Sequence, residues 1–422
     1  MKVLVVGGGG REHTIVWKLS QSEKVDKIYC APGNAGIASL AECVPIKATD
    51  VDGVVKFAEE NKIDLTVVAP DDPLVLGMVD ALEAKGLRAF GPRANAAIIE
   101  GSKVFSKDLM KKYNIPTAKY EVFDNADSAI KYLKTAPLPT VIKAEGLALG
   151  KGVIIAKTYD EAEKAVHDMM EDKMFGNAGN RIVIEEFLTG PEISVLAFTD
   201  GKTVRPMVSA QDHKRAYDND EGLNTGGMGT FSPSRIYDEK MAEECMKNIF
   251  LPTVDAMNKE GRTFKGVLYF GLMSTKDGVK VIEYNCRFGD PETQVVLPRL
   301  KSDLFDIFNA VIDEKLDEVD ISWRDGGCVC VVAASGGYPV KYETGFEISG
   351  IDAAEAMDDV HVFHAGTREE NGKIVTGGGR VLGVTAVADS LDDAIKLAYS
   401  GIEKISFEKM HYRKDIGIKK YE

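Results

Sequence analysis

The run Lys2-Val3-Leu4-Val5-Val6 leads without a break into four consecutive glycines, Gly7 to Gly10, and then into a helix-patterned stretch. A buried strand turning tightly into a helix is the first unit of a sheet built with crossover helices. The same alternation continues for the first hundred residues. Strands are predicted at 2–6, 27–31, 65–69 and 88–90, and helices at 12–20, 51–61 and 74–85. That order predicts an open parallel sheet with right-handed crossovers.

Further along, Gly101-Ser102-Lys103 opens a predicted helix to about residue 113, and Pro116 ends the pattern. Residues 120–187 form a compact block. It opens on a strand from Tyr120; further strands are predicted at 140–144, 152–156 and 181–186, helices at 126–135 and 160–171, and a Gly-rich loop lies between the strands at 140–144 and 152–156. Residues 192–320 mix strands with a second Gly-rich loop and two helices, near 238–259 and 294–313. From residue 328, strands at 328–333, 361–364 and 381–388 and a helix at 391–404 predict a small α+β domain. The whole chain therefore reads as a multidomain α/β and α+β protein. Its 422 residues suit roughly two to four domains.

A formal net charge of −14 argues against nucleic acid or an anionic membrane as the main partner. An anionic small molecule is compatible with it, because local basic groups decide that affinity. The six cysteines show neither zinc spacing nor a disulfide framework, and fit buried thiols in a reducing compartment. No signal-peptide pattern precedes the first strand and no apolar run reaches membrane-spanning length. A cytoplasmic location is the expectation.

Four segments carry chemistry. Gly7 to Gly10 can bring backbone N–H groups close to an anion at a helix N-terminus, with Arg11 adding a fixed charge. Their spacing is not that of a dinucleotide fingerprint, and a purely structural tight turn is the alternative. The second segment, 141–153, puts Lys143 on a strand ahead of a glycine loop carrying Gly150, Lys151 and Gly152. It lacks the P-loop spacing, so either a glycine flap over nucleotide phosphates or a simple hairpin remains. In 183–194, a strand ends at Glu185-Glu186 and the backbone bends at Phe187-Leu188, beyond which stands Glu192. This reads as an adenine and ribose hinge or as a solvated acidic loop. Finally, Glu283 and Asn285 lie two apart at a strand end and so share a face. A carboxylate and an amide oxygen suit Mg²⁺ that completes its shell with phosphate and water. Arg287 continues that face, and Asp290 follows the turn at Gly289.

The order Lys103, Lys143 with its glycine loop, Glu185 to Glu192, and Glu283-x-Asn285 resembles that of the ATP-grasp ligases. Within that superfamily the chain is similar from end to end to the phosphoribosylamine–glycine ligase family. The segments that carry the likeness include G-G-G-G-R-E-H at 7–13, A-P-G-N-A-G-I at 31–37, E-G-S-K at 100–103 and A-Q-D-H-K-R-A-Y-D at 210–218. N-T-G-G-M-G at 224–229, A-S-G-G-Y-P at 334–339 and F-H-A-G-T at 363–367 add to them.

The resemblance implies ligation of glycine to 5-phosphoribosylamine, with ATP as co-substrate and Mg²⁺ or Mn²⁺ as cofactor, in purine biosynthesis. It implies an N-terminal α/β domain over 1–102 on the phosphoribosylamine side. An ATP-grasp lobe with the metal site would follow over 103–120 and 192–323, a flap subdomain over 121–191, and a closing α+β domain over 324–422. Lys103, Lys143, Lys151 and the glycines Gly150 and Gly152 would meet the ATP phosphates. Glu185, Glu186, Phe187 and Leu188 would read adenine, and Glu192 the ribose. Glu283 and Asn285 would bind the metal. Asp212 and Asp290 would orient the glycine ammonium, and Arg287 would steady the acyl phosphate. The loop Thr225, Gly226, Gly227 and Met228 would offer N–H groups to the glycine carboxylate. Gly9, Gly10, Arg11 and Arg380 would take the phosphate of phosphoribosylamine, and Asp71 its ribose. A monomer or weak oligomer is implied.

Four positions depart from the family's pattern. Asp71 stands where a Glu is usual, Glu145 replaces a customary Asp, Leu149 adds bulk to a loop of small residues, and Gly271 falls where many ATP-grasp enzymes carry a further acidic metal ligand. His13, His213 and His364 read as loop-fixing rather than catalytic residues. Arg413, Lys414, Lys419 and Lys420 read as a solvated basic tail. An ATP-grasp ligase for a different carboxylate and amine is the competing reading. A non-catalytic nucleotide-binding protein or a dinucleotide oxidoreductase is the more distant one.

Overall fold

A computed structural model of the chain describes residues 1–146 and 152–418. Lys2–Gly7 is the central strand of a five-stranded parallel sheet, between Lys27–Pro32 and Leu65–Val68. Glu42–Cys43 and Ala89–Phe90 form its edges. The strand is apolar on both faces because both are covered. Leu4 and Val6 pack into a core with Val54 and Leu82, while Val3 and Val5 pack into a second core with Ile15 and Phe308.

The helix predicted at 74–85 divides into Asp71–Val75 and Met78–Ala84. Gly77 stands between them with φ at +83°, a conformation open to glycine and costly for other residues. An unforeseen helix, Ala94–Gly101, follows and carries Glu100 near its end.

The block around residue 150 is a four-stranded antiparallel sheet in the order Tyr120–Phe123, Ile182–Glu186, Thr140–Ala144, Val153–Ala156. Helices Ala126–Leu133 and Tyr159–Met170 cover one face, where Ile142, Ala144, Ile182 and Ile184 are buried. Strand alternation therefore turns Val141, Lys143 and Glu185 to the other face. The expected loop residues Leu149, Gly150 and Lys151 lie outside the described residues.

A second antiparallel sheet runs Val204–Pro206, Glu192–Thr199, Gly266–Thr275, Gly278–Asn285. The helix predicted near 238–259 is present as Glu239–Cys245 and Leu251–Lys259, joined by a wide turn at Met246–Phe250. That predicted at 294–313 is broken into Thr293–Val296, a tight turn at Leu297–Arg299 containing Pro298, and Leu304–Ile312 capped by Asp303. Proline cannot donate an N–H to continue the first piece.

The last sheet is not built from the final segment alone. Gly327–Ser335 pairs with Arg380–Ala388, which pairs with Val360–His364; on its other edge it takes Gly229–Ser232 and then Gln211–Asp212 from mid-chain. That pairing carries Asp212 and the loop after Asn224 to the seam between the last sheet and the rest of the molecule. All six cysteines are free. Among the described residues, no helix is long and apolar enough to cross a membrane.

Candidate active site

A cleft of about 1060 Å³ opens between the flap sheet, the Gly278–Asn285 sheet, the parallel domain and the last sheet. On the flap side, Glu185 sits between two ammonium groups. Lys143 Nζ lies 3.0 Å from Glu185 Oε1, and Lys107 Nζ lies 2.9 Å from Oε2. All three side chains are buried, and burial lowers Lys107 to about 8. Lys107 also donates to Thr117 Oγ1 at 2.8 Å, and that hydroxyl donates to the Val281 carbonyl at 2.7 Å. Lys103, one helical turn before Lys107, donates to the Gly146 carbonyl at 3.0 Å. Burial draws its ammonium below the ordinary lysine range, against the pull of Glu283. Glu186 accepts from the Lys119 N–H at 3.0 Å and from Lys280 at 3.3 Å, which leaves Phe187 partly exposed at the hinge.

Glu283 faces Gly271 across the strand pair, and Asn285 faces Tyr269. A Cβ on Gly271 would stand 3.0 Å from the Glu283 side chain, so Glu283 packs directly over the glycine and a side chain there would have to displace it. Burial alone would raise the Glu283 carboxyl. The lysines Lys214, Lys143 and Lys103 outweigh it and hold the group below the usual carboxylate range. Lys214 Nζ lies 2.8 Å from Glu192 and 3.9 Å from Glu283, tying the two together.

Arg287 is anchored rather than loose. Its Nη2 lies 2.8 Å from Glu100 Oε1, 3.2 Å from Asn285 Oδ1 and 3.8 Å from Asp71 Oδ2. Glu100 also accepts the Cys286 N–H at 2.7 Å, which fixes the strand's exit. Burial raises Glu100, whereas at Asp71 the charges of Arg287 and Arg11 overcome burial and lower the carboxyl. Arg11 pairs with Glu12 at 2.6 Å and donates to the Phe288 carbonyl at 3.1 Å.

Asp290 lies 3.3 Å from Arg380 Nη2 and accepts from Gln294 at 2.8 Å; Arg380 also donates to the carbonyls of Asp290 and Gly226, at 2.8 and 2.6 Å. Burial pushes Asp212 well above the usual carboxylate range, and the nearby Glu292 adds to the effect. Asp212 Oδ1 is buried with no hydrogen-bond partner. Glu292 itself accepts from Tyr269 at 3.0 Å and Ser194 at 3.2 Å.

Most of the predicted residues meet in this cleft. Lys103, Lys143, Gly152, Glu185 to Leu188, Glu192, Asp212, Glu283, Asn285, Arg287, Asp290, Arg11, Asp71, Thr225, Gly226 and Arg380 all line it. Four do not lie on its wall. The Gly9 N–H is taken by Glu12 Oε2 at 2.6 Å, and Gly10 packs so closely on Gln294 that a Cβ would stand 2.6 Å from Nε2. Gly227 and Met228 turn away, and a side chain at Gly227 (φ +115°) would meet Pro291 at 2.4 Å and Asp212 at 2.8 Å.

The N–H groups expected from that loop are all in use within the protein. Thr225 donates to the Lys214 carbonyl at 2.8 Å, Gly226 to Tyr338 at 3.0 Å, Gly227 to Thr225 Oγ1 at 3.0 Å and Met228 to the His213 carbonyl at 2.8 Å. Arg380 likewise spends its fork on Asp290 and Gly226. Lys107, Glu100, Lys214 and Glu292 went unassigned in the sequence. Lys107 alone left a local signal, because a lysine four residues after Lys103 shares its helix face.

His13 and His364 are tied to each other inside the fold, whereas His213 lines the cleft with its Nδ1 buried and without a hydrogen-bond partner among the described residues. His13 accepts the His364 N–H at 2.8 Å, and burial with His364 beside it lowers it to about 3. Burial lowers His213 and His364 to about 4. The basic tail reading fails at Arg413, which is only 1% exposed and paired with Asp415 and Asp220.

Family models described as the N, ATP-grasp (A) and C domains of phosphoribosylglycinamide synthetase match residues 1–100, 101–293 and 328–419. The chain belongs to the phosphoribosylglycinamide synthetase family. A phosphoribosylamine–glycine ligase of Caldanaerobacter subterraneus is 53% identical over 416 residues, covering 99% of each chain. The crystal structure of phosphoribosylamine–glycine ligase from Thermotoga maritima superposes with a TM-score of 0.86 at 32% identity, over 99% of this chain and 100% of that one. A Campylobacter jejuni biotin carboxylase shares the fold alone, at 14% identity and a TM-score of 0.75 over 97% of this chain and 92% of that one. Membership of the family accounts for the ordered motifs along the whole chain.

Proposed function

We propose that the chain ligates glycine to 5-phosphoribosylamine with ATP, giving glycinamide ribonucleotide, ADP and phosphate in purine biosynthesis. The observation that carries this reading is Glu283, a carboxylate kept ionised by three lysines at the end of a strand, beside Asn285 and facing the cleft. Hard oxygen donors of that kind fit Mg²⁺ or Mn²⁺. Among the described residues, no group of three or more His, Cys, Asp or Glu side chains could hold a metal. Glu283 and Asn285 would therefore hold the ion with help from phosphate oxygens and water. When bound, it neutralises charge on the transferring phosphate.

The residues of the chain do the rest by position and charge. Lys103 and Lys143 face the phosphates, the Glu185–Leu188 hinge receives adenine, and Glu192 receives the ribose. A glycine carboxylate oxygen attacks the γ-phosphorus, and the bond to ADP breaks. The amine nitrogen of phosphoribosylamine then attacks the acyl carbon, phosphate leaves, and the nitrogen's proton passes to phosphate or a carboxylate. Asp212, with its partnerless oxygen, suits the glycine ammonium, and Arg287 stands beside Asn285 to steady the acyl phosphate. Arg11 and Asp71 offer a cation and an acceptor to phosphoribosylamine.

The assay supplies ATP, glycine and freshly generated phosphoribosylamine and follows ADP. ADP formation that needs both substrates is expected. Equal turnover without glycine, or with another amino acid in its place, overturns the assignment.

A further inference from the structure

Segment 410–418 is tied to a hairpin two hundred residues earlier in the chain. The hairpin is Arg215–Tyr217 paired with Glu221–Asn224. Among the described residues, Arg413 is the largest fully buried side chain, and all three of its guanidinium nitrogens donate hydrogen bonds. Nε and Nη2 grip Asp415 at 2.8 and 2.7 Å, Nη2 reaches Asp220 at 3.1 Å, and Nη1 donates to the Arg215 carbonyl at 3.0 Å. Neighbouring contacts run the same way. The Lys414 N–H donates to Asp218 at 2.8 Å, the Asn219 N–H donates to Asp415 at 2.8 Å, and the His411 ring meets the Ala216 carbonyl at 2.8 Å. Tyr399 braces the strap from behind, donating to the Arg413 carbonyl at 2.8 Å and accepting the Ile416 N–H at 2.9 Å.

The base of that hairpin enters the reaction cleft. Lys214 precedes Arg215 and reaches 2.8 Å from Glu192 and 3.9 Å from Glu283; Asp212 is two residues earlier. The long lysine stem cannot hold one position by itself, and fixing it costs rotamer freedom unless the backbone beneath it is already ordered. Arg413 supplies that order through the carbonyl of the very next residue. Buried bidentate pairs of this kind are geometrically exacting.

We propose that Arg413 is a positioning residue for the ligase reaction: it locks the 213–224 hairpin so that Lys214 bridges Glu192 and Glu283. This rests on the reading given under the proposed function, and it adds that the nucleotide side of the cleft is set by a strap from the far end of the fold. Arg413 lies at the wall of the cleft, but its guanidinium is turned to Asp415, Asp220 and the Arg215 carbonyl, so it acts on the reaction through the hairpin.

The test compares Arg413→Met, Arg413→Lys and the milder Asp220→Asn with the wild-type chain, in activity and in thermal unfolding. Arg413→Met is expected to raise KM for ATP by about tenfold or more, with a much smaller change in KM for phosphoribosylamine. Arg413→Lys keeps the charge without the fork and should recover only part of the loss. Asp220→Asn should fold normally and shift KM for ATP in the same direction by a smaller factor. Combined with Lys214→Met, the Arg413→Met change should add little, since both act on one contact. A lowered Tm with every KM unchanged in Arg413→Met and Asp220→Asn overturns the inference, as does full additivity with Lys214→Met. Absence of glycine-dependent turnover in the wild type would instead overturn the functional reading beneath it.

Discussion

Lys143 and Glu185 meet at 3.0 Å on the inner face of the flap sheet, and both are buried. Glu185 is the shared anion of two lysines, so it sets the resting position of Lys143 before any nucleotide arrives. Removing its charge strands Lys107 and Lys143 together in a desolvated place. Loss of one partner from a buried pair costs about 3–5 kcal/mol. Glu185→Gln is therefore expected to lower Tm clearly and to raise KM for ATP, with little effect on KM for glycine. Calorimetry and initial rates check it. Unchanged stability would mean that Lys107 simply deprotonates, which its depressed value of about 8 makes the main competing outcome.

Glu283 behaves differently because its carboxylate faces the cleft and no tight ion pair holds it. Among the described residues, its nearest cation is Lys214 at 3.9 Å. Glu283→Gln should leave the fold and Tm near wild type while kcat falls on the order of 10³-fold, the scale seen when charge stabilisation of a phosphoryl group is removed. Binding of ATP without metal should be little affected. Near-normal ADP release from this variant would remove the metal assignment.

Much of this cleft was legible in the chain, and the reason is period. Glu283 and Asn285 share a strand face, Lys143 alternates with the buried Ile142 and Ala144, and Lys103 opens a helix after a Ser102 cap that accepts the Phe105 N–H at 3.1 Å. Such signals lie within a few residues. Glu100 closing on Arg287, Glu292 beside Asp212, and Lys214 across to Glu192 are contacts between distant segments, and no local pattern encodes them. The glycines show the converse error. A run such as Gly7 to Gly10 advertises free N–H groups, yet Glu12 three residues on takes that of Gly9. Arg413 shows a related limit: charge and position suggest solvent, but although Asp415 is only two residues away, Asp220 and the Arg215 carbonyl that complete its surroundings come from a hairpin elsewhere. The mid-chain strands that join the last sheet are only a few residues long, too short to leave a periodic signal of their own.

Asp71, expected to meet the ribose, is held near Arg287 without a close ion pair. At 3.8 Å from Arg287 it is too far for a hydrogen bond, and it retains free capacity toward the cleft. Asp71→Asn should raise KM for phosphoribosylamine about tenfold, roughly 1.4 kcal/mol, and leave KM for ATP unchanged. Asp71→Glu should keep activity while drawing closer to Arg287. A parallel rise in both KM values for the Asn variant would show that Asp71 supports the fold instead of the ribose.

The stability of the joint between the parallel domain and the last sheet should depend on acid through His13. The His13 ring accepts the His364 N–H, so it must be neutral there, and burial beside His364 holds it to about 3. An unfolded histidine takes its proton near 6.5. Between about 6.5 and about 3 the unfolded chain thus binds more protons than the folded one, and stability falls as pH drops through that window. His364, lowered to about 4, adds to the same slope. The combined loss is on the order of a few kcal/mol. His13→Asn keeps an acceptor for the His364 N–H but cannot titrate. It should cost some stability at neutral pH through lost packing on Phe363, whose ring centre lies 5.7 Å away, and flatten the decline below pH 6.5. Urea titrations of both proteins from pH 7 to pH 4 measure the two slopes. Parallel curves would mean that the acid sensitivity arises at the cleft carboxylates and not at this histidine pair.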